Sequence, residues 1–489
     1  MPQQLSNFSF QTRLRQGVLT GALLALAPVA FGQTFATTVS YNAGSNANPL
    51  SLAVADVNGD GKRDIITGNN GSSMIGVLLG NGTGTFQTVA TTSAGSGSMP
   101  YGVAVADVNA DGKADIITAN YGTNSVGVLL GTGTGTFAAA VAYSTGSGSQ
   151  PYGLAVADVN GDGKPDIVTA NSATSSIGVL LNTGTGTFAA MVSYPTGTAT
   201  PLKVAVGDVN NDGKADIVAC INFNSAVGLL LGNGNGTFQA LTTIALTNKP
   251  NNVALADLNA DSKLDIVTSS DNNSGYATVQ LGNGNGTFAT ATSYASSSNS
   301  FTNSVTVADV SGDGKPDLIT ANPGNYTVGV LKNNGTGTFA AVQTFAAGAS
   351  GSMPYDVAAA DVSGDNKPDL ITANVSTNTV GVLLNTGTFL ATQPTALAAA
   401  VQLYPNPAAT TASFTTSGLP LGVQRVEATL LNQLGQVVGR ITAPATQGAA
   451  HAELPTAGLA AGLYLVRLYA HDAQGTVVGT LATQRLQVR

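Results

Sequence analysis

Seven short stretches of this chain place aspartate at a spacing suited to holding a hard cation. Each has the form D-x-[NS]-x-D-x-K-x-D, and the second reads Asp107-Val-Asn-Ala-Asp-Gly-Lys-Ala-Asp115. The first stretch offers the side chains of Asp56, Asn58, Asp60 and Asp64, with the backbone carbonyl of Lys62. The second offers Asp107, Asn109, Asp111 and Asp115 with the carbonyl of Lys113, and the third Asp158, Asn160, Asp162 and Asp166 with that of Lys164. Asp208, Asn210, Asp212, Asp216 and Lys214 make the fourth set, and Asp257, Asn259, Asp261, Asp265 and Lys263 the fifth. The last two carry serine at the third position: Asp309, Ser311, Asp313, Asp317 with Lys315, then Asp361, Ser363, Asp365, Asp369 with Lys367.

Oxygen ligands at alternate positions of a tight loop can converge on one Ca²⁺, and the aspartate at position nine would close the cage. Glycine after the third ligand (Gly61, Gly112, Gly163, Gly213, Gly314) permits the sharp bend there. Ser262 and Asn366 replace it in the fifth and seventh loops, with more strain expected at the serine. The loops themselves offer no thiolate or imidazole to suggest zinc, and a flexible all-protein cage suits Ca²⁺ better than Mg²⁺. Any one loop read alone is equally an Asp-Gly hairpin turn with Asx hydrogen bonds. The charge inventory favours the metal. Three aspartates in each of seven loops take 21 of the 26 acidic residues in a chain with only 9% charged residues. Carboxylates clustered so closely repel one another unless a cation joins them. Up to seven Ca²⁺ ions are expected.

The loops are punctuation in a repeat. Tyr101-GVAVADVNADGKADIITAN recurs as Tyr152-GLAVADVNGDGKPDIVTAN and Tyr355-DVAAADVSGDNKPDLITAN, and the first loop aspartates are spaced 49 to 52 residues apart. Each copy divides into four short β segments, in the second copy 102–107, 115–119, 126–130 and 137–143, with Gly, Asn, Asp, Ser and Thr between them. Four strands per repeat, repeated seven times, predicts an all-β, seven-bladed β-propeller. The seventh copy loses its fourth strand after Phe389, while Thr34-FATTVSYNAGS resembles the fourth-strand sequence Thr136-FAAAVAYSTGS. The N-terminal strand is therefore expected to complete the last blade and remove two open edges. An open solenoid is the competing reading, and it would leave both partial repeats uncapped.

These repeats resemble the FG-GAP/VCBS family, whose propellers include the integrin α-subunit head. The resemblance implies a cation in the hairpin between the first two strands of a blade, stiffening it.

The remaining segments read as address labels. Arg13 and Arg15 precede an apolar run from Gly17 to Phe31, and Ala30-Phe-Gly32 fits a signal-peptidase site, so residues 1–32 are expected to be cleaved. Residues 33–395 would be the propeller. From 396 to 489 the composition shifts toward a small Ig-like β-sandwich, with strands near 412–416, 426–431, 462–469 and 481–488. Its Leu403-Tyr-Pro-Asn-Pro-Ala408, Leu431-Asn-Gln-Leu-Gly-Gln-Val437 and Leu459-Ala-Ala-Gly-Leu-Tyr-Leu-Val-Arg467 resemble the type IX secretion C-terminal sorting domain. That implies recognition by the type IX machinery, then release or attachment at the outer surface. An ordinary Ig-like accessory module is the alternative.

Catalysis has little to work with. Both histidines, His451 and His471, lie outside the repeats, Cys220 sits in a strand, and only Asp271 and Asp356 are free of the propeller's loops. The expected role is a secreted or surface-attached, monomeric calcium-binding propeller that serves as a binding or adhesion module for an extracellular glycan or protein. No nucleic-acid partner and no integral membrane segment in the mature chain are expected. Alternatives are a polysaccharide lyase or hydrolase relative, or a purely structural surface protein. A candidate rim is formed by Tyr101, Tyr152 and Tyr355 with Asn120-Tyr121, Asn222-Phe223, Tyr276 and Tyr326, although solvated turns and packed tyrosines explain these equally well. The absence of tryptophan argues against a lectin that stacks sugars.

Overall fold

The computed structural model describes residues 34–270, 275–297, 301–387 and 400–488, apart from 405, 407, 409–410, 420–422, 433–436, 447, 460 and 472–476. The expected signal peptide, Asp271 and the boundary near 395 lie outside the described residues.

Seven four-stranded antiparallel sheets follow one another along residues 34–387. In the second blade the strands are Pro100–Ala106, Asp115–Asn120, Ser125–Leu129 and Val141–Ser144. The outer strand is shorter than its sequence suggests. Phe137 makes only an isolated bridge to Gly131, because the Gly-Thr-Gly-Thr turn occupies the residues between them.

The second strand is buried along its whole length in every blade, as Asp115–Asn120 shows with its polar Asp115, Thr118 and Asn120 included. In six of the seven blades the third strand carries a central glycine, with Thr278 in its place in blade five, and the glycine has a steric reason. A Cβ on Gly127 would stand 2.6 Å from Thr118 Oγ1 of the neighbouring strand. Apolar clusters form between successive blades, as where Val168 and Ile177 of the third meet Ile217 and Ala219 of the fourth.

The first strand of each sheet packs against that of the next, and Pro354–Ala360 packs back on Pro49–Ala55, so the sheets form a closed β-propeller. Closure uses the N-terminal strand as anticipated. Val39–Asn42 pairs antiparallel with Thr379–Leu383 as the outer strand of the seventh sheet. It also reproduces a contact between blades. Tyr41 meets Phe86 of blade one edge-to-face at 5.3 Å, as Tyr143 meets Phe188 at 5.3 Å between blades two and three.

Residues 400–488 form two antiparallel sheets. One contains Ala400–Tyr404, Thr411–Ser417 and Ala449–Pro455, and the other Arg425–Leu431, Val437–Pro444, Gly462–His471 and Val477–Val488. Phe414, Val426, Val466 and Leu486 are buried in their common core. Three of these strands, Ala400–Tyr404, Val437–Pro444 and Ala449–Pro455, were not anticipated from sequence. Val437–Pro444 exposes the adjacent Val437 and Val438, and Ala449–Pro455 mixes alanine with polar residues, so neither shows a clean apolar alternation.

Candidate metal loops

Each aspartate loop joins the first two strands of its blade, and in the second blade the network within it is nearly complete. Asp107 Oδ2 accepts the Gly112 N–H at 2.8 Å, and Asn109 Oδ1 accepts that of Asp111 at 3.0 Å. Asp111 Oδ1 accepts the Lys113 N–H at 2.9 Å, while its Oδ2 pairs with Lys113 Nζ at 3.3 Å. The fourth aspartate is different in kind. Asp115 is fully buried and accepts the N–H groups of Val108 at 2.9 Å and Gly131 at 2.7 Å, tying its own loop to the next hairpin.

Electrostatics separate these carboxylates. Burial raises the pKa of Asp115, its two N–H donors oppose the rise, and Asp107 and Asp111 add to it. The exposed Asp111 is lowered, first by the Lys113 N–H. Asp317 is pushed furthest, to about 6, by burial and then by Asp309 and Asp313, with the N–H of Asn333 opposing.

The loops are not equivalent. Ser262 adopts the left-handed backbone, φ 64°, that was expected to be strained, yet its N–H still reaches Asp257 Oδ2 at 2.7 Å. Asn366 does likewise at φ 62°. Loop six departs further. Asp317 accepts from Ser311 N in place of Val310 N, and Asp313 pairs with Lys332 at 3.3 Å. Sequence reading also missed a second left-handed residue two positions earlier, filled by Gly59, Ala110, Gly161, Asn211, Ala260, Gly312 and Gly364.

In six of the seven loops the second residue is clasped by the blade that follows. Asn182 Nδ2 donates to Val108 O at 2.8 Å, Asn333 Nδ2 to Leu258 O at 2.8 Å and Asn385 Nδ2 to Val310 O at 2.9 Å. Where glycine stands in place of that asparagine, a backbone N–H does the same: Gly135 to Val57 O at 3.3 Å and, across the closure, Gly84 to Val362 O at 2.9 Å. The signal was present in the sequence. Asn182, Asn333 and Asn385 accompany Pro165, Pro316 and Pro368, whose carbonyls their amides also bond. A Cβ on Gly80 would instead lie 2.1 Å from the Arg63 carbonyl.

Among the described residues, no three of His, Cys, Asp and Glu converge as a ready-made cage, because the carboxylates face the loop's own N–H groups. The donor set still fits a hard divalent cation. It consists of carboxylate, amide and carbonyl oxygens, and an oxygen accepting one N–H keeps a second lone pair.

Of the candidate rim, Tyr101, Tyr121 and Tyr152 come together, while Phe223 is largely exposed with Lys249 Nζ 5.7 Å from its ring centroid. Cys220 is fully buried, and burial drives its thiol pKa upward, so it is an inert core residue.

The FG-GAP-like repeat family matches residues 56–118, 107–169, 158–219, 218–268, 257–320 and 309–372, and the chain belongs to that family. These six windows together include all seven loops. Residues 402–478 match the secretion system C-terminal sorting domain. No curated protein matches the sequence. Among solved structures, the chain is similar to BBS1N, crystallised with ARL6DN and soaked with lead, at 13% identity and TM-score 0.49, covering 73% of this chain and 97% of that one. It is also similar to the periplasmic gluconolactonase PpgL of Pseudomonas aeruginosa, at 16% identity and TM-score 0.47, covering 61% and 85%. Propeller repeats joined to a secretion-sorting tail make this a secreted or surface propeller protein. Among the described residues, no helix is long and apolar enough to cross a membrane.

Proposed function

We propose that this protein binds calcium on its aspartate loops and acts outside the cell as a non-catalytic binding module, with an extracellular glycan or protein as its ligand. The observation that carries the reading is the loop itself. Three carboxylates recur seven times, each set beside a carbonyl clasped by the next blade in six of the seven loops. Calcium supplies compact positive charge where otherwise a single lysine faces three carboxylates.

The residues that would hold the ion are the first, third, fifth and ninth of each loop, with the lysine carbonyl at the seventh. Holding them together stiffens the hairpin, and the hairpin presents the clasped carbonyl, so stiffness passes from loop to joint. Residues 402–478 would direct export through the type IX machinery, after removal of residues 1–32.

Calorimetry and elemental analysis on the purified protein test the reading. Several ions per chain at millimolar calcium are expected. Their absence would overturn the calcium assignment.

A further inference from the structure

The loops occupy one end of each first strand. The opposite ends, from Leu50 in blade one to Asp356 in blade seven, meet around the axis, where Tyr101 lies against Tyr152 and Ser304 bonds Asp356. Open space is found at the loop end, between blades seven and one, in a cavity of about 650 Å³. Val54 and Ala359 of the two first strands border it, with Lys62, Arg63 and Asn81 from blade one and Asp361 from blade seven.

Two residues set this joint apart from the other six. The residue after the loop lysine is alanine, proline or leucine in blades two to seven and Arg63 in blade one. It is the only arginine between residues 33 and 395. Its counterparts turn toward the preceding blade, and Ala114, Ala215 and Leu264 each pack on the apolar cluster at their joint. Leu264 fills its joint closely, since a Cβ on Gly207 of blade four would stand 2.7 Å from Leu264 Cδ1. On the facing wall, two residues before the first loop aspartate, blades one to six carry valine or leucine and blade seven carries Ala359. This joint therefore sets a long cationic side chain against a shortened wall. Arg63 is exposed and, among the described residues, forms no ion pair, whereas Lys62 pairs with Asp60 at 3.4 Å. Asp361 is already engaged within its own loop, where Oδ1 accepts the Gly364 N–H and Oδ2 the Asn366 N–H, each at 2.7 Å.

We propose that this cavity binds one uronic acid residue of an acidic glycan, its carboxylate on Arg63 and its hydroxyls on Lys62 and Asn81; the proposal deepens the binding-module reading and rests on it. A guanidinium takes a carboxylate through two parallel N–H···O bonds, which also fixes the orientation of the sugar. Lys62 supplies donors, and Asn81 both a donor and an acceptor, as ring hydroxyls require. Val54 and Ala359 give the C–H face of the ring an apolar wall. The volume falls within the roughly 300–1,000 Å³ of small-ligand sites. Residues 33–395 carry 23 Asp against 11 Lys and Arg, so a run of acidic side chains is repelled. A uronic acid brings one carboxylate among neutral hydroxyls.

The test titrates the full protein in calcium with methyl glucuronide and methyl galacturonide, with the neutral methyl glucoside and methyl galactoside, and with N-acetyl-aspartyl amide as a peptide analogue. Saturation-transfer NMR reports contact and calorimetry reports affinity. At least one uronide should bind with Kd of about 1 mM, and its neutral counterpart about tenfold more weakly. Ala114 and Ala215 occupy the position equivalent to Arg63, so Arg63→Ala should fold, and it should abolish that preference. Arg63→Lys should restore part of it, because the charge returns without the fork. Ala359→Val rebuilds the wall of the other joints and should weaken uronide binding with no change in charge. Equal affinity for the neutral glycoside, tighter binding of the aspartyl amide, or uronide affinity unchanged in Arg63→Ala would each overturn the site. Calcium stoichiometry and neutral-glycoside binding on the same samples separate the two failures: a protein that keeps both but shows no preference for uronides loses this site alone.

Discussion

The two ends of the ring solve different problems with the same seven strands. At the loop end, residues 56–64 and their six counterparts repeat nearly identical chemistry, and loops departing in sequence, such as loop five with Ser262, keep their hydrogen bonds. At the axial end the equivalent positions run from Leu50 through Tyr101 and Lys203 to Asp356, and the joints differ in chemistry, a hydrogen bond from Ser304 to Asp356 at one and a Tyr101–Tyr152 ring contact at another. Uniform chemistry is what a ring needs at joints that all carry the same load.

Removing calcium strikes all the loops together and should have the largest effect. One ion at a hundred times its Kd adds about 2.7 kcal/mol, so several acting on one ring should shift Tm by roughly 10 °C or more. Scanning calorimetry in calcium and in excess EDTA checks this; coincident curves would break the comparison at its loop end. Deleting residues 34–45 comes next. It strips the partner from Thr379–Leu383 and Tyr41 from Phe86, exposing sheet edges. Light scattering should show aggregation, and a soluble monomer of unchanged Tm would refute the closure role.

Asp356→Ala probes the axial end. It leaves the Leu52 N–H and Ser304 hydroxyl without their acceptor, at a cost of about 1–3 kcal/mol. Asp356→Asn should recover part of that, and calcium stoichiometry should not change in either variant. A loss of bound calcium would show that the two ends are coupled.

Acid sharpens the loop end. Asp64, Asp115, Asp166, Asp216, Asp265, Asp317 and Asp369 are all raised by burial, Asp317 to about 6, against about 3.9 in an unfolded chain. A carboxyl raised on folding stabilises the fold fully below its unfolded pKa, and that contribution is lost as pH rises through the folded value. In EDTA, Tm should therefore fall between about pH 4 and pH 6, whereas bound calcium should reverse the trend. A flat profile in EDTA would mean that these carboxyls titrate normally.

The smallest effect is expected from Asp111→Asn in EDTA, because its pair with Lys113 is exposed and such pairs contribute little. In calcium the same variant should lose one ion per chain. Equal small losses in both conditions would favour a turn without metal.

Residue type and spacing determined the blade repeat, the position of every loop and the origin of the closing strand. Those are local facts, because a Gly-rich turn or a D-x-N-x-D loop dictates its own backbone whatever surrounds it. Val437–Pro444 and Ala449–Pro455 of the C-terminal unit escaped notice because their apolar alternation is weak. Tertiary structure decided what the loop aspartates do in relation to one another. Asp115 looks like Asp107 in sequence, yet the folding of its own blade buries it beside the Gly131 turn and gives it two backbone donors. The same holds at the axis. Leu52, Asn252, Ser304 and Asp356 are up to 304 residues apart, and only the closing of the ring makes them neighbours.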